Sequence, residues 1–307
     1  MKQNSVCGII VTYNIGNNFY KCFNSVRDQV EKVIIVDNGS DEDTTSVLKN
    51  IKKNNNHVEV IYNKENLGIG HALNQGVELA LENNFEWILT MDNDSEATNS
   101  MVDIMINTYN KAISEWKTNV VSIFPRYIEK GFYDSNLNEK SESRLNEYEG
   151  VECEITSGNL LKADIFKKIG GFRDDYFIDY VDHEYCLRMI KNGYSSIRAK
   201  DAILLHSLGN SKKKKVAGKT LTYTNHSASR RYYITRNRFD VWNKYKDIPN
   251  DFIKHDKSAY KKEIIKIIAF EDDKINKIIS IFKGIRDFKK NKFGKWTDPC
   301  QVDRLNK

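Results

Sequence analysis

Two rhythms of apolar and polar positions alternate along the first hundred residues. VCGIIVTYN (6–14), KVIIVDNGS (32–40), VEVIY (58–62) and FEWILTMDND (85–94) open as short apolar runs, rich in β-branched residues, that suit buried strands. Between them lie stretches with helical spacing. NFYKCFNSVRDQ (18–29) is the first. The second follows Ser40, where Ser40 or Asp41 can cap a helix with an acidic first turn and a basic last one. The third, GIGHALNQGVELALENN (68–84), puts Ile69, Leu73, Val77, Ala80 and Leu81 on one face. Strict β/α alternation predicts right-handed crossovers and a mainly parallel sheet with helices on both faces, an α/β architecture of nucleotide-binding type.

Ligands of such sheets sit beyond the carboxyl ends of the strands. Three predicted strands end in polar clusters, Thr12-Tyr13-Asn14, Asp37-Asn38-Gly39-Ser40 and Asp92-Asn93-Asp94, which therefore share one rim. Asp37 can accept from a base N–H or a ribose hydroxyl, or it can belong to a simple turn and cap. Residues two apart on an extended chain face the same side, so Asp92 and Asp94 can address one cation, and carboxylate oxygens suit hard divalent ions. Short Asp-x-Asp strings also occur in ordinary surface turns.

The second half holds EITSGNLLKADIFKKIGGFRDDYFIDYVDHEYCLRMIKNGY (154–194), in which a helix closed by Gly170-Gly171 leads into an acidic segment opening another helix. Asp179 and Asp182 are three apart, and Glu184 and Arg188 form an i, i+4 pair. A carboxylate there can take a proton from an incoming hydroxyl, or it can cap the helix. In SLGNSKKKKVAGKTLTYTNHS (207–227) the four lysines Lys212 to Lys215 fit either a solvated loop or a loop that closes over phosphate. In RRYYITRN (230–237), Arg231 and Arg236 can pair with phosphate bidentately, or the segment can simply pack.

The ordered series VTYN, VDNGS, NLGIGHALNQG, MDND, TSGNLL, GGF, FIDYVDHEYCLR, LLHSLGN and RRYYITRN resembles the family 2 glycosyltransferases of the inverting GT-A fold, and most closely their rhamnosyltransferase branch, from about Val6 to Asn237. The resemblance implies that Thr12, Tyr13, Asn14, Asp37 and Asn38 hold base and ribose, with Asn66 and Gly68 flanking the donor and Asn93 beside it. It implies a Mn²⁺ or Mg²⁺ site at Asp92 and Asp94 completed by His206, and a catalytic base at Asp182. Val181 departs from the superfamily's Glu-Asp pair, as in the rhamnosyltransferase pattern. The implied reaction moves L-rhamnose from dTDP-β-L-rhamnose, with inversion, to a saccharide hydroxyl. Acceptors in this branch are commonly lipid-linked, at the cytoplasmic leaflet.

Composition narrows the remaining choices. The five cysteines (Cys7, Cys22, Cys153, Cys186 and Cys300) are scattered without a C-x-x-C pair, which favours reduced structural thiols. The start of the chain has no signal-peptide pattern and no window offers a membrane span, which points to a cytoplasmic protein. The net charge of +6 belongs to the tail: from Lys254 onward 15 Lys and Arg face 8 Asp and Glu, a surplus of 7. Residues 1–250 are therefore expected to form the catalytic domain and 251–307 a basic helical extension. Its isoleucines are spaced for one or two amphipathic helices that cover the domain, meet a partner subunit or a second copy, or lie on an anionic membrane through residues 254–295. The near-neutral main domain argues against nucleic acid. A transferase using UDP-linked galactofuranose, glucose or galactose is the alternative within the class. Outside it, a nucleotide-sugar pyrophosphorylase would need a Gly-rich basic loop after the first strand, which TYNIGNNFYK does not supply, and a non-catalytic sugar-binding module would not need Asp92, Asp94 and Asp182 together.

Overall fold

The structure is a computed structural model that describes residues 4–116, 119–130, 147–206, 211–216 and 219–296, with the backbone alone for 211–216 and 219–223. The alternating half forms as the pattern predicts. Strands β1 (Val6–Thr12), β2 (Lys32–Asp37), β3 (Val58–Tyr62) and β4 (Trp87–Asp92) are parallel, in the order β3-β2-β1-β4. Between them run α1 (Phe19–Val26), α2 (Glu42–Asn54) and α3 (Ile69–Glu82). Asp41 caps α2 by accepting the Thr44 N–H at 3.0 Å.

Beyond β4 the chain adds β5 (Glu96–Ala97), α4 (Met101–Trp116), β6 (Val120–Glu129), β7 (Tyr148–Val151), β8 (Asn159–Lys162), α5 (Ala163–Ile169), α6 (Val181–Lys191) and β9 (Ser195–His206). Sheet order continues β4-β8-β6-β9-β5. β8 runs antiparallel to both of its neighbours, and β6 parallel to β9. Strand alternation then divides the core. Val6, Ile10, Val33, Ile35, Trp87 and Leu89 pack with α1, α2 and α4 on one face, while Cys7, Ile9, Ile34, Val36 and Ile88 pack with α3, α5 and α6 on the other.

The lysine run forms a hairpin rather than an irregular loop: β10 (Ser211–Val216) pairs antiparallel with β11 (Lys219–Thr224), and the side chains of Lys212 to Lys215 lie outside the described residues. Three helices follow, α7 (Ala228–Lys244), α8 (Phe252–Phe270) and α9 (Lys274–Lys289). α9 lies close along α7, where a Cβ at Gly284 would stand 2.7 Å from the Tyr232 carbonyl oxygen. The chain then turns back over α7, with Phe293 stacked on Tyr176 and Trp296 on Tyr232. Among the described residues no helix is long and apolar enough to cross a membrane.

Candidate active site

Parallel pairing sets the rim. Thr12 is in register with Asp37, and Val11 with Asp92, so the ends of β1, β2 and β4 lie side by side. Thr12 Oγ1 donates to Asp37 Oδ1 at 3.2 Å, and the Ser40 N–H donates to Oδ2 at 3.3 Å, which fixes a buried carboxylate at this edge. Asn14, at φ 49°, ties the β1 end to the start of α2: its N–H donates to Ser40 Oγ and its Oδ1 accepts from the Asp41 N–H. Tyr13 stands out from the rim, 48% exposed, as an aromatic face that a base can stack on.

Asn38, expected at base and ribose, and Gly68, expected in the loop flanking the donor, are both tied into the framework of the rim. The Asn38 amide donates to Asn66 Oδ1 and the Gly68 carbonyl and accepts from the Leu67 N–H and Asn63 Nδ2, so the protein uses it on both sides. Gly68 sits at φ 93° against Phe177, whose carbonyl oxygen a Cβ would approach to 2.6 Å. Asn66 Oδ1 also accepts the Gly68 N–H, closing the loop that starts α3.

At the end of β4 the chain turns through Asn93, which is half-buried, and re-enters as β5, which pairs with the last residues of β9. That pairing carries His206 to the two aspartates. Ligand atoms of Asp92, Asp94 and His206 all lie within 4.8 Å of one another. A relay of buried hydroxyls supports the group: the Asp92 N–H donates to Ser157 Oγ, Ser157 to Ser95 Oγ, and Ser95 Oγ lies 2.9 Å from His206 Nδ1. With Nδ1 protonated and donating to Ser95, Nε2 keeps its lone pair for a cation.

The charges of the group leave room for a cation. Burial, then Asp94 and Asp182, push the Asp92 carboxyl up to about 7, only partly offset by Arg230. Burial holds His206 below its ordinary value despite Asp94, so the imidazole is neutral and able to ligate. Two carboxylates and a neutral imidazole are a fitting donor set for Mn²⁺, and for Mg²⁺ through the carboxylates.

Asp182 stands in the first turn of α6. Burial pushes its carboxyl up, but His183 outweighs this and holds it below the usual carboxylate range. His183 Nδ1 lies 2.9 Å from Asp182 Oδ1, an ion-pair contact outside hydrogen-bonding geometry, while the His183 N–H donates to the same oxygen at 2.8 Å. Burial pushes the imidazole down, Asp182 pushes it up more, and the result is about 9. The expected Glu184–Arg188 pair is present at 2.7 Å, with Glu184 buried and also accepting from Tyr245 at 2.6 Å, so it locks α6 to α7.

Arg231 and Arg236 are not placed as expected. Both are buried in α7, where Arg231 Nη1 and Nη2 and all three nitrogens of Arg236 meet protein acceptors while Arg231 Nε has no partner. Arg231 pairs with Glu263 and with Glu271, the latter at 2.6 Å, while Arg236 donates to the carbonyls of Asp175, Tyr176 and Gly294. Among the described side chains the arginine at the site is Arg230, half-exposed, which forks onto Asp179 at 2.9–3.2 Å and is held charged by Asp179, Asp182 and Asp92 against the opposing effect of burial. One residue along a helix turns the side chain by about 100°, so the string RRYY offers two arginines with opposite fates.

The family model for glycosyl transferase family 2 matches residues 7–170, from β1 to the end of α5. The chain belongs to this family. The transferase is 28% identical over 250 residues to the dTDP-rhamnosyl transferase RfbF of Shigella flexneri, covering 77% of this chain and 79% of that one. It is 24% identical over 213 residues to the O-antigen chain rhamnosyltransferase WbaN of Salmonella anatum, covering 65% of each. A solved mannosyltransferase, PcManGT from Pyrobaculum calidifontis in complex with GDP-Man and Mn²⁺, superposes with a TM-score of 0.56 at 16% identity, over 98% of this chain and 78% of that one. The fold is GT-A, and the enzyme is a glycosyltransferase of rhamnosyltransferase-like type.

Proposed function

We propose that this enzyme transfers L-rhamnose from dTDP-β-L-rhamnose, with inversion, to a hydroxyl of a saccharide acceptor that is lipid-linked, in cell-surface polysaccharide synthesis. The observation that carries the reading is the meeting of Asp92, Asp94 and His206 within 4.8 Å, beside an Asp182 close enough to push the Asp92 carboxyl up. Likeness to two rhamnosyltransferases supports the choice of sugar. Tyr13 and Asp37 receive base and ribose. A divalent cation at the aspartates would neutralise the leaving diphosphate. Arg230, released from Asp179 or shared with it, adds a second positive charge on the same side. Asp182 takes the acceptor proton as the hydroxyl attacks C1 from the opposite face. One displacement needs no carboxylate nucleophile.

A donor screen tests this directly: thermal stabilisation and slow hydrolysis with dTDP-rhamnose, UDP-glucose, UDP-galactose and UDP-galactofuranose, with and without Mn²⁺ or Mg²⁺. Metal-dependent selection of dTDP-rhamnose is the expected result, and selection of a UDP-sugar would overturn the donor.

The Asp92 carboxyl at about 7 predicts how metal use depends on pH. Its proton must leave before the oxygen can ligate, so Mn²⁺ affinity should fall about tenfold for each pH unit below that point and level off above it. Raising Mn²⁺ should shift the acid limb of kcat/KM to lower pH. A limb that ignores the metal concentration would detach Asp92 from the ion.

The extension gives the reading its membrane component. Ile265, Ile268, Ile275, Ile279 and Phe282 are 45–76% exposed on α8 and α9, with Lys261, Lys262 and Lys274 exposed among them. An apolar stripe fringed by lysines suits an anionic lipid surface, which would bring the site to a lipid-linked acceptor. Co-sedimentation with phosphatidylglycerol vesicles, lost in Ile275→Glu/Phe282→Glu, is the expected outcome, and equal pelleting of both proteins would reject it.

A further inference from the structure

The segment between Asp175 and Asp182 is strained, and it belongs to both halves of the site. Phe177, Asp179 and Tyr180 have φ of 66°, 63° and 66°, the left-handed region where a residue with a Cβ is costly. No glycine relieves them. On one side the Phe177 carbonyl accepts the Ile69 N–H at 2.7 Å and packs on Gly68, next to the donor loop that Asn38 and Asn66 hold together. On the other side the same backbone runs directly into the first turn of α6 and Asp182.

Strain of this kind persists only where neighbours over-determine the backbone. Two adjacent side chains of α7 contribute to that here. Asn237, fully buried in α7, donates through Nδ2 to the carbonyls of Tyr176, Ile178 and Asp179 at 3.1, 2.9 and 2.9 Å. Its Oδ1 accepts from Arg236 Nε at 3.0 Å, which orients the amide so that its NH₂ faces the loop. Arg236 adds donors to the carbonyls of Asp175 and Tyr176 and ties them to Gly294 of the returning chain. The Phe177 ring is stacked on Tyr233 at 5.1 Å. The last two residues of RRYYITRN thus grip carbonyls from 175 to 179 while touching neither the carboxylate group nor the rim.

We propose that Asn237 is a positioning residue for transfer: by gathering the three carbonyls it holds the strained loop in the one conformation that aligns Asp182 with the donor side. This rests on Asp182 being the base. A merely structural amide would lower stability and leave the chemistry of the folded enzyme alone. A positioning amide must also lower kcat, since misplacing a reacting group by about 1 Å costs on the order of 100-fold.

The test uses the full-length chain and the nucleotide sugar chosen by the donor screen, at a temperature well below the melting transition of each variant. Asn237→Ala and Asn237→Asp are compared with the parent and with Asp182→Asn. The expected result is a fall in kcat of about 100-fold in both position-237 variants, with donor KM within about 3-fold. Should Asn237→Ala not fold, Asn237→Ser, which keeps one donor, should give a smaller fall with the same split between kcat and KM. A folded variant with the parent kcat and a lowered melting point overturns the positioning role. If Asp182→Asn itself turns over normally, the base assignment fails instead, and the two failures are told apart by that one control.

Discussion

Asp182→Asn should reduce transfer by about three orders of magnitude while leaving donor KM within about 3-fold. The amide is close to isosteric, so the loop, α6 and the contact with the His183 N–H can persist, but it cannot take a proton. Asp182 is held below the usual carboxylate range by an imidazolium at 2.9 Å, so it is a weak base toward a resting hydroxyl. Proton transfer must therefore come late, once the forming glycosidic bond has made that hydroxyl acidic. The substitution also has an electrostatic consequence. It removes one of the charges that push the Asp92 carboxyl up, so the acid limb of metal-dependent donor binding should move to lower pH. Turnover within tenfold of the parent, with an unmoved limb, would remove Asp182 from the mechanism.

Much of this was legible in the residues. Parallel strands with two-residue alternation leave little freedom, so runs such as VIIV and WILTM, together with the polar residues that end them, place Thr12, Asp37 and Asp92 on one rim without any knowledge of long-range contacts. His206 was legible only through family likeness, because it reaches Asp94 by a two-residue strand, Glu96–Ala97, too short to leave a pattern. Ser95 and Ser157 were hidden for a different reason: isolated buried serines announce nothing until the fold brings them together, although Ser95 directly follows Asp94. Asn38 shows a different limit: its type suits a ribose as well as it suits a loop brace, and the four partners of its amide within the protein are visible only once the loop is folded. The left-handed residues at 177, 179 and 180 carry no glycine signature, so the loop and its grip by Asn237 are visible only in three dimensions.

The two arginines expected at phosphate lead to the largest stability effect. Arg231 is 1% exposed, between a buried Glu271 and a half-covered Glu263, and also donates to the Thr224 carbonyl at 2.9 Å. Lys277 and Arg238 share those carboxylates at 2.9 and 2.6 Å, so the group is a network joining α7, α8 and α9. Arg231→Ala leaves two acids with one cation each and opens a void where a large side chain stood, a loss of about 3 kcal/mol or more. For a chain of this size that lowers the melting temperature by roughly 5 °C. Arg231→Met should lose less, because it refills the volume. In both, donor KM measured on folded enzyme should stay at the parent value, since Arg230 and not Arg231 faces Asp92 and Asp182. A variant of full stability whose donor KM rises tenfold would return Arg231 to the phosphate, and would require α7 to rotate by about a quarter turn, against the packing of Tyr232 on Trp296 and of Gly284 on its backbone.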